Sequence, residues 1–103
     1  MLALVEQEEK QDATIKSLCE ILMGKAATWR ETAKIYNALE GEAETIRRSI
    51  LGWVASALSK GWAFKIKDAL LADILRIFQF NTFDGGKSQL ILMVYDAWHL
   101  THK

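Results

Sequence analysis

The chain has 103 residues, with thirteen Lys and Arg balanced by thirteen Asp and Glu, and half of its residues are hydrophobic. Zero formal charge leaves no cationic excess to neutralise a phosphate backbone, which argues against a nucleic-acid coat. An apolar half and a charged quarter suit one folded domain, not a disordered chain. No run approaches the ~18 apolar residues of a membrane span, and the first residues lack the basic start and apolar stretch of a secretory signal. The lone Cys19 closes no internal disulfide, so a reducing cytoplasm is the expected setting. Zero net charge also removes the repulsion that keeps small domains apart, which makes self-association an expectation from composition.

The chain contains no proline, and six glycines at 24, 41, 52, 61, 85 and 86 divide it into about five segments of helical length. None of them alternates with period two. The expected fold is all-α, a single domain built as a compact bundle of about five antiparallel helices.

A first helix is expected to end near Met23 with Gly24 as its C-terminal cap. Ile15, Leu18, Cys19 and Leu22 fall on one helical face, which makes Cys19 a buried structural thiol. Upstream, Glu6 to Asp12 is a polar run, so residues 1–12 read either as a frayed helix start or as a linker. Thr28 and Glu31 form a T-x-x-E capping box that starts a second helix, with Trp29, Ala33, Tyr36 and Leu39 inward and Gly41 at its end. Glu42 and Glu44 favour the positive end of a third helix dipole. Ile46, Ile50, Trp53, Val54, Ala57 and Leu58 then give the cleanest amphipathic spacing in the chain, and Lys60 with Gly61 closes it. A fourth helix is expected from about Lys65 to Phe80, with Ile66, Leu70, Leu71, Ile74, Leu75 and Phe78 inward. The turn-rich stretch Asn81 to Gly86 precedes a fifth, running to about His99, with Asp84 as candidate N-cap. Its inward residues are Leu90, Ile91, Val94, Ala97 and Trp98.

No string in the chain makes a convincing catalytic centre. Asp84-Gly85-Gly86-Lys87-Ser88 ends like a phosphate-binding loop, but the position of that motif's first glycine is Asn81 and the segment before it reads as helix. His99 and His102 share a helical spacing used by metal ligands, yet no further strong ligand set accompanies them. Glu40, Glu42 and Glu44 sit where helix dipoles favour acids, so general acid–base work lacks a distinct pair. Lys60, Lys65 and Lys67 surround Trp62 and Phe64, a basic loop with aromatics that could hold a nucleic-acid strand, though three lysines leave a weak electrostatic footprint. The chain is read as no enzyme, without metal, nucleotide or other cofactor.

Several strings resemble a known family. They are Ile21-Leu22-Met23-Gly24 with Trp29, Leu39-Glu40-Gly41-Glu42, Ile46-Arg47-Arg48, Ile50-Leu51-Gly52-Trp53, Phe83-Asp84-Gly85-Gly86-Lys87 and Leu90 to Tyr95. Together they resemble the C-terminal helical collar domain of AAA+ clamp-loader small subunits, especially phage-like ones, over about residues 15 to 100. The resemblance implies a five-helix collar that oligomerises around primed DNA in replication and does no chemistry. The implied partners are copies of itself, related subunits and an AAA+ ATPase, with no membrane and little direct DNA contact. The chain lacks the ATPase and lid domains of that family, so it is either a piece of a longer protein or a free-standing relative. By exposed-aromatic reasoning Trp53, Trp62, Phe64 and Trp98 are candidate interface residues. Arg47 and Arg48 have two readings, pairing with Glu44 or Glu40 on a solvated helix face or reaching an acidic patch on a neighbour. The rival functions are a small helical nucleic-acid-binding protein using Lys60, Lys65 and Lys67, and a helical adaptor for an unrelated protein.

Overall fold

Among the described residues five helices form in the order expected: α1 (Leu2–Leu22), α2 (Trp29–Asn37), α3 (Ala43–Lys60), α4 (Asp68–Ile77) and α5 (Gly86–Thr101). The structure, a computed structural model, describes residues 2–61 and 68–102, with side chains for 11–61 and 69–102. No strand occurs among the described residues. The protein is a small all-α domain. Its radius of gyration is 13.2 Å, close to the ~13 Å of a compact chain of about 100 residues. No described helix is long and apolar enough to cross a membrane.

One core unites the helices. Leu18, Cys19 and Leu22 of α1, Ile50, Val54 and Ala57 of α3, Leu71 and Ile74 of α4, and Leu90, Val94 and Ala97 of α5 are fully buried. Each set recurs every three or four residues, so each helix turns one stripe inward. α5 packs against all four other helices, and α3 lies against α1, α4 and α5. Burial pushes the Cys19 thiol up to about 12, with the neighbouring Glu20 charge adding to it, so the thiolate needed for reactivity does not form near neutral pH.

Local signals fix several helix ends. The Thr28 side chain accepts from the Glu31 amide at 3.1 Å, as the capping box requires. Gly61 ends α3 in the left-handed region at φ 70°, a conformation that penalises any residue with a Cβ. The backbone of the polar run Glu6–Asp12 is helical and continues α1.

Three boundaries differ from expectation. α2 stops at Asn37, four residues before Gly41, because the amides of Ala38 and Leu39 turn back to Ile35 and Tyr36 and carry Leu39 into the core. α4 ends at Ile77 instead of Phe80. The Phe78 amide there is shared between the Ile74 and Leu75 carbonyls and the Gln79 amide bonds Arg76, a tightened last turn that buries Phe78. Asp84 is not the N-cap of α5. Gly85 occupies that position without a side-chain cap, and the Asn81 carboxamide oxygen instead accepts from the Phe83 amide at 3.3 Å. The expected start of the fourth helix, including Lys65 and Ile66, lies outside the described residues.

Candidate functional site

Two connections meet at one end of the bundle: residues 38–42, between α2 and α3, and residues 78–85, between α4 and α5. Glu44, in the first turn of α3, joins them. It is 7 % exposed and accepts five hydrogen bonds. Its Oε1 accepts from Arg47 Nε at 2.8 Å, from the Thr82 amide at 2.9 Å and from the Thr82 hydroxyl at 3.1 Å. Its Oε2 accepts from Arg47 Nη2 at 2.6 Å and from Arg48 Nε at 3.0 Å. Arg47 reaches onward, donating through Nη1 to the Phe78 carbonyl at 2.6 Å. That carbonyl lies just past the end of α4, where a helix leaves acceptors unpaired and where a cation is favoured by the dipole.

The electrostatics follow from these contacts. The hydrogen bonds from Arg47, joined by those of Thr82 and Arg48, hold the Glu44 carboxyl well below the ordinary carboxylate range despite the burial that opposes it. Glu44 in turn holds the Arg47 guanidinium in its charged form. The pairing of these residues was legible, but not its setting. Arg47 is buried beneath the α4–α5 connection, and only Arg48 lies on the solvated face.

This buried network fixes Thr82, and the two residues that flank it at a short distance in sequence are the most exposed large apolar side chains described. Phe80 is 71 % exposed and Phe83 70 %. The rest of the connection is also pinned. Gln89 Nε2 donates to the Asn81 carbonyl at 2.8 Å and the Gly86 amide to the Thr82 carbonyl at 2.8 Å. A Cβ at Gly85 would lie 2.6 Å from Gln89 Cβ, and Gly86 has a left-handed backbone at φ +58° that favours glycine. The string Gly85-Gly86-Lys87 is thus a turn that starts a helix, and the element before it is the helix α4. Beside Phe83 runs a groove of about 400 Å³ walled by Gly41, Glu42, Thr82, Gly86 and Lys87. The Tyr36 hydroxyl donates to the Lys87 carbonyl at 3.3 Å and anchors α5 to α2, and burial raises its pKa above the ordinary phenol value.

Many residues of the resembling strings therefore gather here. Glu40, Gly41, Glu42, Arg47, Arg48, Phe83, Gly85, Gly86 and Lys87 all belong to the two connections or to the helix ends beside them. Gln11 was missed by sequence reasoning. Its carboxamide donates to the Glu40 carbonyl at 2.9 Å and accepts from the Glu40 amide at 3.3 Å, tying the α2–α3 connection to α1. Gly52 stands apart on the exposed side of α3 with open space around it.

The other candidates fall elsewhere. Trp98 is half-buried at 5.7 Å from Trp29 and donates its indole N–H to the Ala27 carbonyl at 3.0 Å. Trp29 also meets Tyr95 edge-on at 4.9 Å. Trp53 is half-buried against the core. Trp62, Phe64, Lys65 and Lys67 lie outside the described residues, and Lys60 ends α3 at the surface. His102 is not a frayed, solvated residue. Its ring stacks on Trp98 at 5.3 Å, and Nε2 donates to the Lys25 carbonyl at 2.8 Å, closing the α5 end onto the α1–α2 connection. His99 stacks on Tyr95 instead. Among the described residues no three His, Cys, Asp or Glu side chains gather as a metal site. Of the three acidic candidates, Glu40 and Glu42 are exposed and Glu44 is fully engaged by its five donors. The chain matches no family model, no curated protein and no solved structure, so the collar resemblance stands on its sequence strings alone.

Proposed function

We propose that this chain is a non-enzymatic protein-assembly module whose docking face is the α4–α5 connection, with Phe80 and Phe83 as its anchors. The observation that carries this reading is the contrast at Thr82. A buried, charge-assisted network holds the backbone of a connection whose two aromatic side chains point away from the core. Aromatic rings on a rigid support make effective interface anchors, because little conformational freedom is lost when they are covered. Burying two such rings is worth roughly 3–6 kcal/mol, enough to dominate a modest interface. Among the described residues at this end, Glu44 is engaged by five donors and Arg47 by Glu44 and the Phe78 carbonyl, so the buried charges are committed to holding the connection, a setting that suits docking better than catalysis. The resemblance to clamp-loader collars gives the assembly a specific form, a ring of like domains working with AAA+ ATPase subunits in DNA replication.

Photo-crosslinking tests this. A benzophenone amino acid at position 83 is expected to yield a discrete crosslinked species in the cells that make the chain. Placed at the exposed Ser49 of α3, the same probe is expected to yield none, and Phe80→Ser is expected to abolish the species formed from position 83. Equal crosslinking from both positions, or none from 83, would contradict the reading.

A further inference from the structure

The C-terminal end of α5 holds the connection between α1 and α2 with two stacked rings. Trp98 and His102 lie about one helical turn apart, with ring centroids at 5.3 Å and planes within 10° of parallel. Each ring reaches a backbone carbonyl of that connection, Trp98 Nε1 to Ala27 at 3.0 Å and His102 Nε2 to Lys25 at 2.8 Å. The indole has no further nitrogen to satisfy. The imidazole does, and its second nitrogen also faces a carbonyl. His102 Nδ1 lies 3.0 Å from the Trp98 carbonyl oxygen and 2.8 Å from the Thr101 hydroxyl. That hydroxyl is itself within reach of the Trp98 carbonyl at 3.2 Å and of the Ala97 carbonyl at 3.4 Å.

A neutral imidazole carries one N–H and an imidazolium two. The neutral ring that donates from Nε2 to Lys25 turns an Nδ1 lone pair toward the Trp98 carbonyl, and Thr101 must then give up its own helix bond to donate to that nitrogen. The protonated ring donates from both nitrogens, to Lys25 and to Trp98, and frees the Thr101 hydroxyl for the helix carbonyls. Two further features favour the cation. The ring stacks on the indole of Trp98, whose face attracts positive charge. His102 is also the C-cap of α5, at the negative end of the helix dipole. The titratable side chains on the elements around the ring are Glu20 and Lys25, paired at 3.7 Å, Arg30 and Glu31 in the first turn of α2, and Asp96 and His99 on α5. Acids and bases are nearly balanced among them, so the acceptors in direct contact decide. Lys103 lies outside the described residues. We infer that His102 is a proton-operated latch: its imidazolium fastens the end of α5 to the α1–α2 connection, and loss of the proton loosens that hold. Histidine is the side chain whose charge changes between about pH 5 and 8. Because the latched state binds the proton more strongly, its stabilisation is present on the acid side of that interval and is lost as the pH rises.

Urea unfolding at about pH 5.5 and about pH 8 is the test. The chain has two histidines, and Cys19 and Glu44 titrate outside that interval. The folded-to-unfolded ratio of the wild type is expected to be roughly three- to tenfold greater at the acid pH. His99→Gln is expected to keep most of that difference and His102→Gln to lose it. Thr101→Val, which deprives the neutral ring of the hydroxyl that donates to it, is expected to enlarge the difference. If His102 served packing alone, His102→Gln would lower stability equally at both pH values, and that result would overturn the latch. Loss of the pH difference in His99→Gln, with retention in His102→Gln, would overturn it as well. A second measurement needs no variant. Proton NMR of the wild type is expected to show two slowly exchanging ring N–H signals from His102 at about pH 5.5 and one at about pH 8, since each N–H is held by a carbonyl. Absence of such signals at the acid pH would contradict the assignment.

Discussion

Glu44 is held by donors from two sources: its own helix through Arg47 and Arg48, and the α4–α5 connection through both the amide and the hydroxyl of Thr82. The local half of this arrangement could be read from spacing, since residues three and four apart on a helix face one another. Its distant half could not, because Thr82 lies 38 residues away and only tertiary packing brings it there. The acidic residue at a helix start looked sufficiently explained by the dipole, and that explanation concealed its second role. The sign of the pH dependence follows from the depressed folded-state value. Glu44 contributes its full stabilisation above its unfolded-state value of about 4.5, and that contribution is lost progressively as pH falls below it toward the folded-state value. Glu44→Gln removes the charge and turns an amide N–H toward a donor, leaving the Arg47 guanidinium buried without a counter-ion. It is expected to lower the urea midpoint clearly at pH 7, and the gap between variant and wild type is expected to shrink as the pH is brought down to about 3. A gap that is constant across that range would contradict the assignment.

At the scale of the element, the helices announced themselves through apolar periodicity and through caps whose chemistry is local. The Thr28 box and the left-handed Gly61 are written in three or four consecutive residues. The ends of α2 and α4 were less legible because tertiary contacts set them. Leu39 is drawn into the core, and the last carbonyl of the α4 turn is claimed by Arg47 from another helix. Gly52 is a different case, a glycine in the interior of α3 with ordinary helical backbone, exposed, and with nothing within 4 Å of a built Cβ. No feature of the described fold requires it. Gly52→Ala is therefore expected to raise the stability of the isolated chain by about 0.5–1 kcal/mol, through the entropy that glycine loses on entering a helix. Chemical denaturation reads this directly, and a destabilised variant would mean that another segment approaches α3 closely at that point.

For the whole molecule, composition and periodicity were enough for an all-α domain, whereas the choice of Trp53, Trp62, Phe64 and Trp98 as interface candidates rested on residue type alone. Trp98 and Trp29 close the α2–α5 seam, and among the described residues the most exposed rings are Phe80 and Phe83 in a turn. The signal for the latter was present: Phe80 and Phe83 belong to a stretch with Asn81, Asp84, Gly85 and Gly86, where the chain must lie at the surface. What the stretch alone did not reveal is that a buried carboxylate holds it in place, and the docking reading depends on that restraint. Amide hydrogen exchange at Thr82 measures it most directly. With Glu44 intact the Thr82 amide is expected to be protected like the buried amides of α3, and in Glu44→Gln it is expected to exchange much faster while the amide of Val54 keeps its protection. Open-loop exchange at Thr82 in the wild-type chain would contradict a fixed connection, and with it the presentation of Phe80 and Phe83 to a partner.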